Sequence, residues 1–275
     1  MRAPGRQNAW LRGVALVGMA AAIVALCGCQ AVDDFRSALV ATRYISRGNA
    51  LLDARASAIA RGDHARAAQI RAAALAAFGR AEDLRRGDRL TELLLVQRYA
   101  LADAPERGER LLRSGAVSAH AYWTLGFAFF KKGDRGKGVK YCEMAVQAAP
   151  EDPLILNNVG FTYADYNVRL QEALRLVKKA DLLKPDQDDI VDSVGWAYYR
   201  LGLFEQARPH LERAASMAPD NAEVRYHLGV LYSRLGLTEK AEAELRAALA
   251  RNPAFGPARE ELRRLRWTLP PPTTA

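Results

Sequence analysis

The sequence predicts an all-α chain built from repeated helix–turn–helix units, and two observations lead there. Gly126, Gly160, Gly195 and Gly229 stand 34, 35 and 34 residues apart, and Pro150, Pro185, Pro219 and Pro253 stand 35, 34 and 34 apart. A fixed period of this size marks stacked supersecondary units. Between those markers run parallel columns. Leu125, Val159, Val194 and Leu228 precede the glycines, and Phe129, Tyr163, Tyr198 and Tyr232 follow three residues after them. Gly133, Asn167, Gly202 and Gly236 come next, then Gly138, Ala173, Ala207 and Ala241. Cys142, Val177, Leu211 and Leu245 follow, and Ala145, Ala180, Ala214 and Ala248 close each set.

Each column has a physical reason. An apolar residue, a Gly and an aromatic three on share one face of a first helix. The Gly leaves room for a neighbouring helix. The second Gly or Asn suits the left-handed residue that ends a helix. The small column lets the second helix cross the first closely, and Pro stops that second helix. The segments YWTLGFAFFKKG, LNNVGFTYADYN, VDSVGWAYYRLG and RYHLGVLYSRLG are the four first helices. They resemble those of the tetratricopeptide repeat (TPR), over about half of the chain. That resemblance implies a right-handed αα-superhelix, a TPR solenoid, with repeats at 119–152, 153–187, 188–221 and 222–255.

Residues 29–118 are expected to be helical throughout, because Ala, Leu and Arg dominate them. Apolar residues recur at helical spacing from Val32 to Ala60, Gly62-Asp63 breaks the pattern, and a second helix runs from His64 to about Leu84. Ala67 and Ala74 fall where the small columns would. Leu95, Val96 and Tyr99, then Gly108, Leu112 and Gly115, suggest another shortened unit. The region reads as degenerate repeats or a helical hairpin at the end of the stack, where atypical units belong. After residue 255, a capping helix is expected over 256–267, with Leu262 and Leu265 inward and Glu260, Glu261, Arg263 and Arg264 toward solvent. Residues 268–275, with three consecutive prolines, read as a disordered tail.

Residues 1–28 have the form of a signal peptide: Arg2, Arg6 and Arg12, then an apolar run from Val14 to Leu26. The run is short for a spanning helix. Leu26-Cys27-Gly28-Cys29 resembles a bacterial lipobox, with Cys27 departing from the usual small or hydroxylated residue. The resemblance implies cleavage before Cys29, a diacylglyceryl thioether on its sulfur and an acyl chain such as palmitate on its amino group. Gln30, where an Asp would retain the protein at the inner membrane, resembles an outer-membrane address facing the periplasm. Cys142 is then the one remaining cysteine; it stands in an apolar column and reads as a small core residue.

Charge points away from nucleic acid. The formal charge of +9 falls to +6 without Arg2, Arg6 and Arg12, and the segment 119–255 carries 18 basic and 18 acidic side chains. Scattered charge of this kind makes no phosphate-binding stripe. His64, His120, His210 and His227 lie on different predicted helices, at no metal-ligand spacing. Asp186, Asp188, Asp189 and Asp192 lack the Gly and terminal Glu of a calcium loop and suit a helix start. No catalytic set, cofactor motif or phosphate loop is present, so a non-enzyme with no cofactor is expected.

The first helices line the groove in TPR solenoids, and the groove columns carry over residue by residue. One holds Trp123, Asn157, Asp192 and Tyr226; four residues on stand Phe127, Phe161, Trp196 and Val230; then come Tyr199, Arg200 and Arg234. Of the Lys and Asn set with which chaperone-type members clamp a terminal carboxylate, Asn157 alone is matched, which argues against that partner class. The expected function is a lipid-anchored scaffold or adaptor that binds protein partners in envelope assembly, whether of pili, secretion systems or peptidoglycan machinery. The alternative is a glycan-binding or enzyme subunit of an exopolysaccharide or cell-wall system, stacking sugars on Trp123 and Trp196 beside Asn157 and Asp192. The groove rings either stand exposed as anchors or pack between neighbouring first helices.

Overall fold

A computed structural model describes residues 5–85, 88–112 and 118–268, with side chains of residues 1–32, Arg89 and 266–275 outside the description. The described residues form thirteen helices and no strand. The chain divides into two compact units, Met1–Ala116 and Val117–Ala275.

The first unit holds α1 (Gly5–Ala60), α2 (His64–Leu84), α3 (Arg89–Leu101) and α4 (Pro105–Leu112). The predicted break falls between α1 and α2: Gly62 has φ of +76°, and the Asp63 carboxylate accepts a hydrogen bond from the Arg66 amide at 2.9 Å. Ala67 and Ala74 are buried on α2, with Phe78 beyond them. The Tyr99 hydroxyl donates to Glu82 at 2.6 Å and its ring meets Phe78 edge-on at 6.0 Å, which fastens α3 to α2. Arg71 completes that junction by donating to the carbonyls of Ala102 and Asp103, both at 2.8 Å. The helix expected from Val32 is not separate from the segment before it, because α1 is continuous over 56 residues. The Cys29 side chain lies outside the described residues, as do Gly115 and the tail 269–275. Among the described residues, no helix is long and apolar enough to cross a membrane.

The second unit stacks α5 (Ala119–Lys131), α6 (Arg135–Ala148), α7 (Pro153–Asp165), α8 (Leu170–Leu183), α9 (Asp188–Arg200), α10 (Phe204–Met217), α11 (Ala222–Arg234), α12 (Thr238–Arg251) and α13 (Gly256–Thr268). Odd-numbered helices touch one another in succession and form one layer; each even-numbered helix packs on its own pair and on the odd helix that follows. The glycine column sits at the crossing within each pair. A Cβ placed on Gly126, Gly160, Gly195 or Gly229 would come within 2.7, 2.6, 2.6 and 2.8 Å of Cys142, Val177, Leu211 and Leu245 respectively. The small residues Ala145, Ala180, Ala214 and Ala248 are fully buried beside them.

The turn between paired helices is the same each time. Gly133, Asn167, Gly202 and Gly236 all take positive φ, between 54° and 83°. The next amide then donates back to the carbonyl of the aromatic column: Asp134 to Phe129 at 3.0 Å, Val168 to Tyr163 at 2.9 Å, Leu203 to Tyr198 at 3.0 Å and Leu237 to Tyr232 at 2.9 Å. This satisfies a helix-end carbonyl that would otherwise be orphaned. The 35-residue step in the period has a local cause. The turn after α7 carries one extra residue, Arg169, which is itself left-handed at φ 46°. Beyond the last pair, α13 packs Leu262 and Leu265 against the core of α11 and α12. Glu260, Arg263 and Arg264 are exposed as expected, Arg264 at the rim of the groove described next, but Glu261 is not: it is largely covered and turns toward that groove.

Candidate functional site

The odd-numbered helices line a groove made of two cavities, and the ten sequence-predicted groove residues divide evenly between them. Trp123, Phe127, Asn157, Phe161 and Asp192 line the first, of about 390 Å³. Trp196, Tyr199, Arg200, Tyr226 and Arg234 line the second, of about 660 Å³. Glu223, at the first turn of α11, borders both. A helix of 3.6 residues per turn accounts for this: positions three before, one after, and four or five after the column glycine fall on the face turned away from the partner helix.

The second cavity is built on an aromatic stack. Trp196 is only 4 % exposed. Its ring lies nearly parallel to Tyr199 at 4.8 Å and to His227 at 4.1 Å, and the Arg200 guanidinium sits 5.5 Å from its centroid. Of the two readings open for this ring, packing between first helices is the one observed, so the expectation of an exposed anchor at Trp196 is corrected. Arg200 is likewise engaged, donating to the Asp165 carbonyl at 2.8 Å with the carboxylate 4.0 Å away. Arg234 reaches the Tyr199 hydroxyl at 3.4 Å, and Arg264 reaches Glu261 at 3.5 Å. The polar groups of this half are therefore largely paired with one another.

Under the stack lies a buried pair that sequence reading missed. His227 Nδ1 is 2.8 Å from Asp192 Oδ2, and the two residues are 2 % and 5 % exposed. Burial is the largest influence on His227 and pulls its pKa down. The Asp192 carboxylate, with Glu223 and Asp165 further off, outweighs burial and holds the imidazole above its ordinary 6.5. Burial in the groove wall also raises the Glu223 carboxyl above its ordinary value; Asp192 and Asp165 add to the rise and His227 opposes it. A signal for the pair was present in the sequence. His227 stands 35 residues after Asp192, one repeat along the same layer, as do Arg200 after Asp165 and Arg234 after Tyr199.

The first cavity has exposed rings and unmatched polar atoms. Phe127 is 36 % exposed, and Trp123 and Phe161 are half-buried. The Trp123 indole donates to Thr162 Oγ1 at 3.1 Å, and that hydroxyl donates to the Asn158 carbonyl at 2.6 Å. Asn157 and Asp192 are both 5 % exposed, and Asn157 Oδ1 and Asp192 Oδ1 have no hydrogen-bond partner, nor has the buried Trp196 Nε1 of the stack. Elsewhere, burial pushes the Cys142 thiol up to about 12, so it packs as a small apolar group and is unreactive at neutral pH. Among the described residues, no group of three or more His, Cys, Asp and Glu could hold a metal ion.

A layer of first helices backed by second helices, with a groove along the first layer, defines a helical-repeat solenoid. The tetratricopeptide repeat family is matched at residues 119–152 and 198–265, so the chain carries tetratricopeptide repeats. Over 133 residues it is 30 % identical to the TPR repeat-containing protein PA4667 of Pseudomonas aeruginosa, a match covering 46 % of this chain and 22 % of that protein. The matched part is thus about a fifth of the relative's length. Among solved structures, the fold is similar to that in the crystal structure of the APC/C hetero-tetramer Cut9–Hcn1, with a TM-score of 0.57 at 15 % identity over 92 % of this chain and 52 % of that one. It is also similar to TTC0263, a thermophilic TPR protein of Thermus thermophilus, with a TM-score of 0.51 at 22 % identity over 66 % of this chain and 97 % of that one.

Proposed function

We propose that this protein is a lipid-anchored scaffold facing the periplasm, which holds an extended segment of a protein partner in its groove during assembly of an envelope complex. The observation that carries the binding reading is the groove itself. It runs along successive first helices, presents rings from several repeats and ends in buried polar atoms with no partner. The anchor reading rests on Leu26-Cys27-Gly28-Cys29, and the membrane of choice on Gln30.

Two measurements test it. Cells fed an alkyne-tagged palmitate should label the wild-type protein and not Cys29→Ser; equal labelling refutes the anchor. A photo-crosslinking residue at Phe127, on the groove, should give discrete protein adducts in envelope preparations, while one at Leu182, on the outer surface of α8 and 83 % exposed, should not. Adducts at Leu182 alone would refute the groove as the binding surface.

A further inference from the structure

We propose that the first cavity of the groove is a receptor for an arginine side chain on the partner's extended segment. This rests on the groove binding a polypeptide, and it names the chemistry recognised.

The argument begins with an inventory of polar groups. The residues lining the first cavity include Asp189, Asp192 and Glu223 and no Lys, Arg or His. Its hydroxyl and indole donors are turned back into the protein: Trp123 to Thr162, Thr162 to the Asn158 carbonyl, and Ser193 to the Asp189 carbonyl at 2.8 Å. Beside the side-chain amides of Asn157, Asn158 and Asn221, what remains is acceptors. Asn157 Oδ1 on α7 and Asp192 Oδ1 on α9 are buried with no partner, and such atoms cost stability unless a donor reaches them. Glu223 adds a carboxylate on α11.

A donor-rich cation answers that inventory, and the rings select its shape. Trp123, Phe127 and Phe161 stand beside these acceptors. Their faces attract a cation, and a planar guanidinium stacks on them better than an ammonium does. Its five N–H groups point in fixed, diverging directions, which suits acceptors held on three successive helices. The second cavity makes the contrast. Its three arginines, Arg200, Arg234 and Arg264, already have protein partners, so it offers aromatic surface and no net demand for charge.

The experiment uses the full chain in detergent and a fluorescein-labelled ten-residue Gly/Ser peptide with one central arginine. Matched peptides carry citrulline, lysine or glutamate at that place, and binding is read by anisotropy. The arginine peptide should bind about tenfold tighter than the citrulline peptide, the scale of one charge-assisted hydrogen bond. Glu223→Gln should remove most of that preference while leaving the protein folded, with a melting temperature at neutral pH no lower than that of the wild type. Equal binding of arginine and citrulline peptides overturns the inference. So does an arginine preference that survives both Glu223→Gln and Phe127→Ala, because the cation then sits elsewhere. Tighter binding of the glutamate peptide, competed by blocking Phe127, overturns the arginine receptor and leaves the peptide groove standing. Binding of a cell-wall oligosaccharide at Phe127, with no peptide bound, overturns both.

Discussion

Adding a single methyl group at Gly160 should cost more than the same change at Gly229, although both stand in one sequence column. A Cβ at Gly160 would sit 2.6 Å from Val177 Cγ1, 2.9 Å from the Ala173 carbonyl oxygen and 3.2 Å from Leu176 Cβ. A backbone carbonyl cannot rotate away, so α8 itself must move. At Gly229 the nearest atoms are Leu245 Cγ and Cδ2, at 2.8 and 3.0 Å, with the Ala241 carbonyl at 3.3 Å. There a side chain can yield. Overpacking costs about 1–3 kcal/mol. Alanine recovers about 1 kcal/mol of helix propensity over glycine. The net cost is then about 1–2 kcal/mol for Gly160→Ala and close to zero for Gly229→Ala. A kilocalorie moves the midpoint of a unit this size by about 2–4 °C, so Gly160→Ala should melt about 2–8 °C lower. Gly79, inside α2 with nothing within 4 Å of its Cβ position, is the control and should gain stability as Ala. Circular dichroism melts on the three variants decide it. A Gly160→Ala protein as stable as wild type, or a Gly229→Ala protein that loses more, refutes the crossing geometry.

Two further predictions follow from the aromatic stack. Trp196→Ala should destabilise the second unit by about 3–5 kcal/mol, as expected for removing a buried aromatic ring, and a melting temperature near that of wild type would show that the ring is not packed between Tyr199 and His227. His227 has its folded pKa raised above 6.5, so the stability it contributes is fully present below that value and is lost as pH rises through the folded pKa. Urea midpoints of the wild type should therefore fall as pH climbs above about 6.5, with the decrement smaller in His227→Gln. Glu223, also raised, acts with the same sign in its own lower window, above 4.5. A wild-type midpoint that rises with pH while that of His227→Gln does not would overturn the assigned pair.

The legible part of this fold is the part written in contacts within one repeat. Gly195 meets Leu211, and Tyr198 gives its carbonyl to the Leu203 amide, across spans short enough that a column in the sequence is the contact itself. The groove positions were legible for the same reason: once the partner face of each first helix is assigned, the opposite face follows from the helical period. What periodicity could not supply is the distance between successive first helices, which decides whether a ring is open or covered. Trp196 and Phe161 occupy one column, yet Trp196 is buried and Phe161 half-exposed. The difference lies in the next first helix along: α11 lays His227 parallel to Trp196 at 4.1 Å, whereas α9 offers Phe161 only the small Ser193 at the corresponding position, and His227, two helices away, reaches Phe161 at 6.0 Å and a tilt. The cap residue Glu261 was misplaced for a related reason, because α13 extends the first-helix layer and so inherits its groove face.

That division of labour bears on how the groove acquires its specificity. The glycine, alanine and aromatic columns hold each pair together, and none of the ten predicted groove residues belongs to them. Groove positions are thus free to take any side chain that the neighbouring repeat can satisfy. Where satisfaction comes from the next repeat, as with Arg200 on Asp165, Arg234 on Tyr199 and His227 on Asp192, the side chain is absorbed into the scaffold and stiffens it. Where the next repeat leaves an atom unmatched, as at Asn157 Oδ1 and Asp192 Oδ1, the unmet hydrogen bond remains as a demand on whatever enters the groove. Asp192 does both at once: one oxygen holds His227, the other is buried without a partner, and the residue lines the first cavity. A ligand that engages the free oxygen therefore draws on the same carboxylate that sets the charge of His227, and through the stack it touches the second cavity as well. Arginine binding in the first half should then shift the His227 titration, a coupling that its imidazole resonances in NMR would report directly.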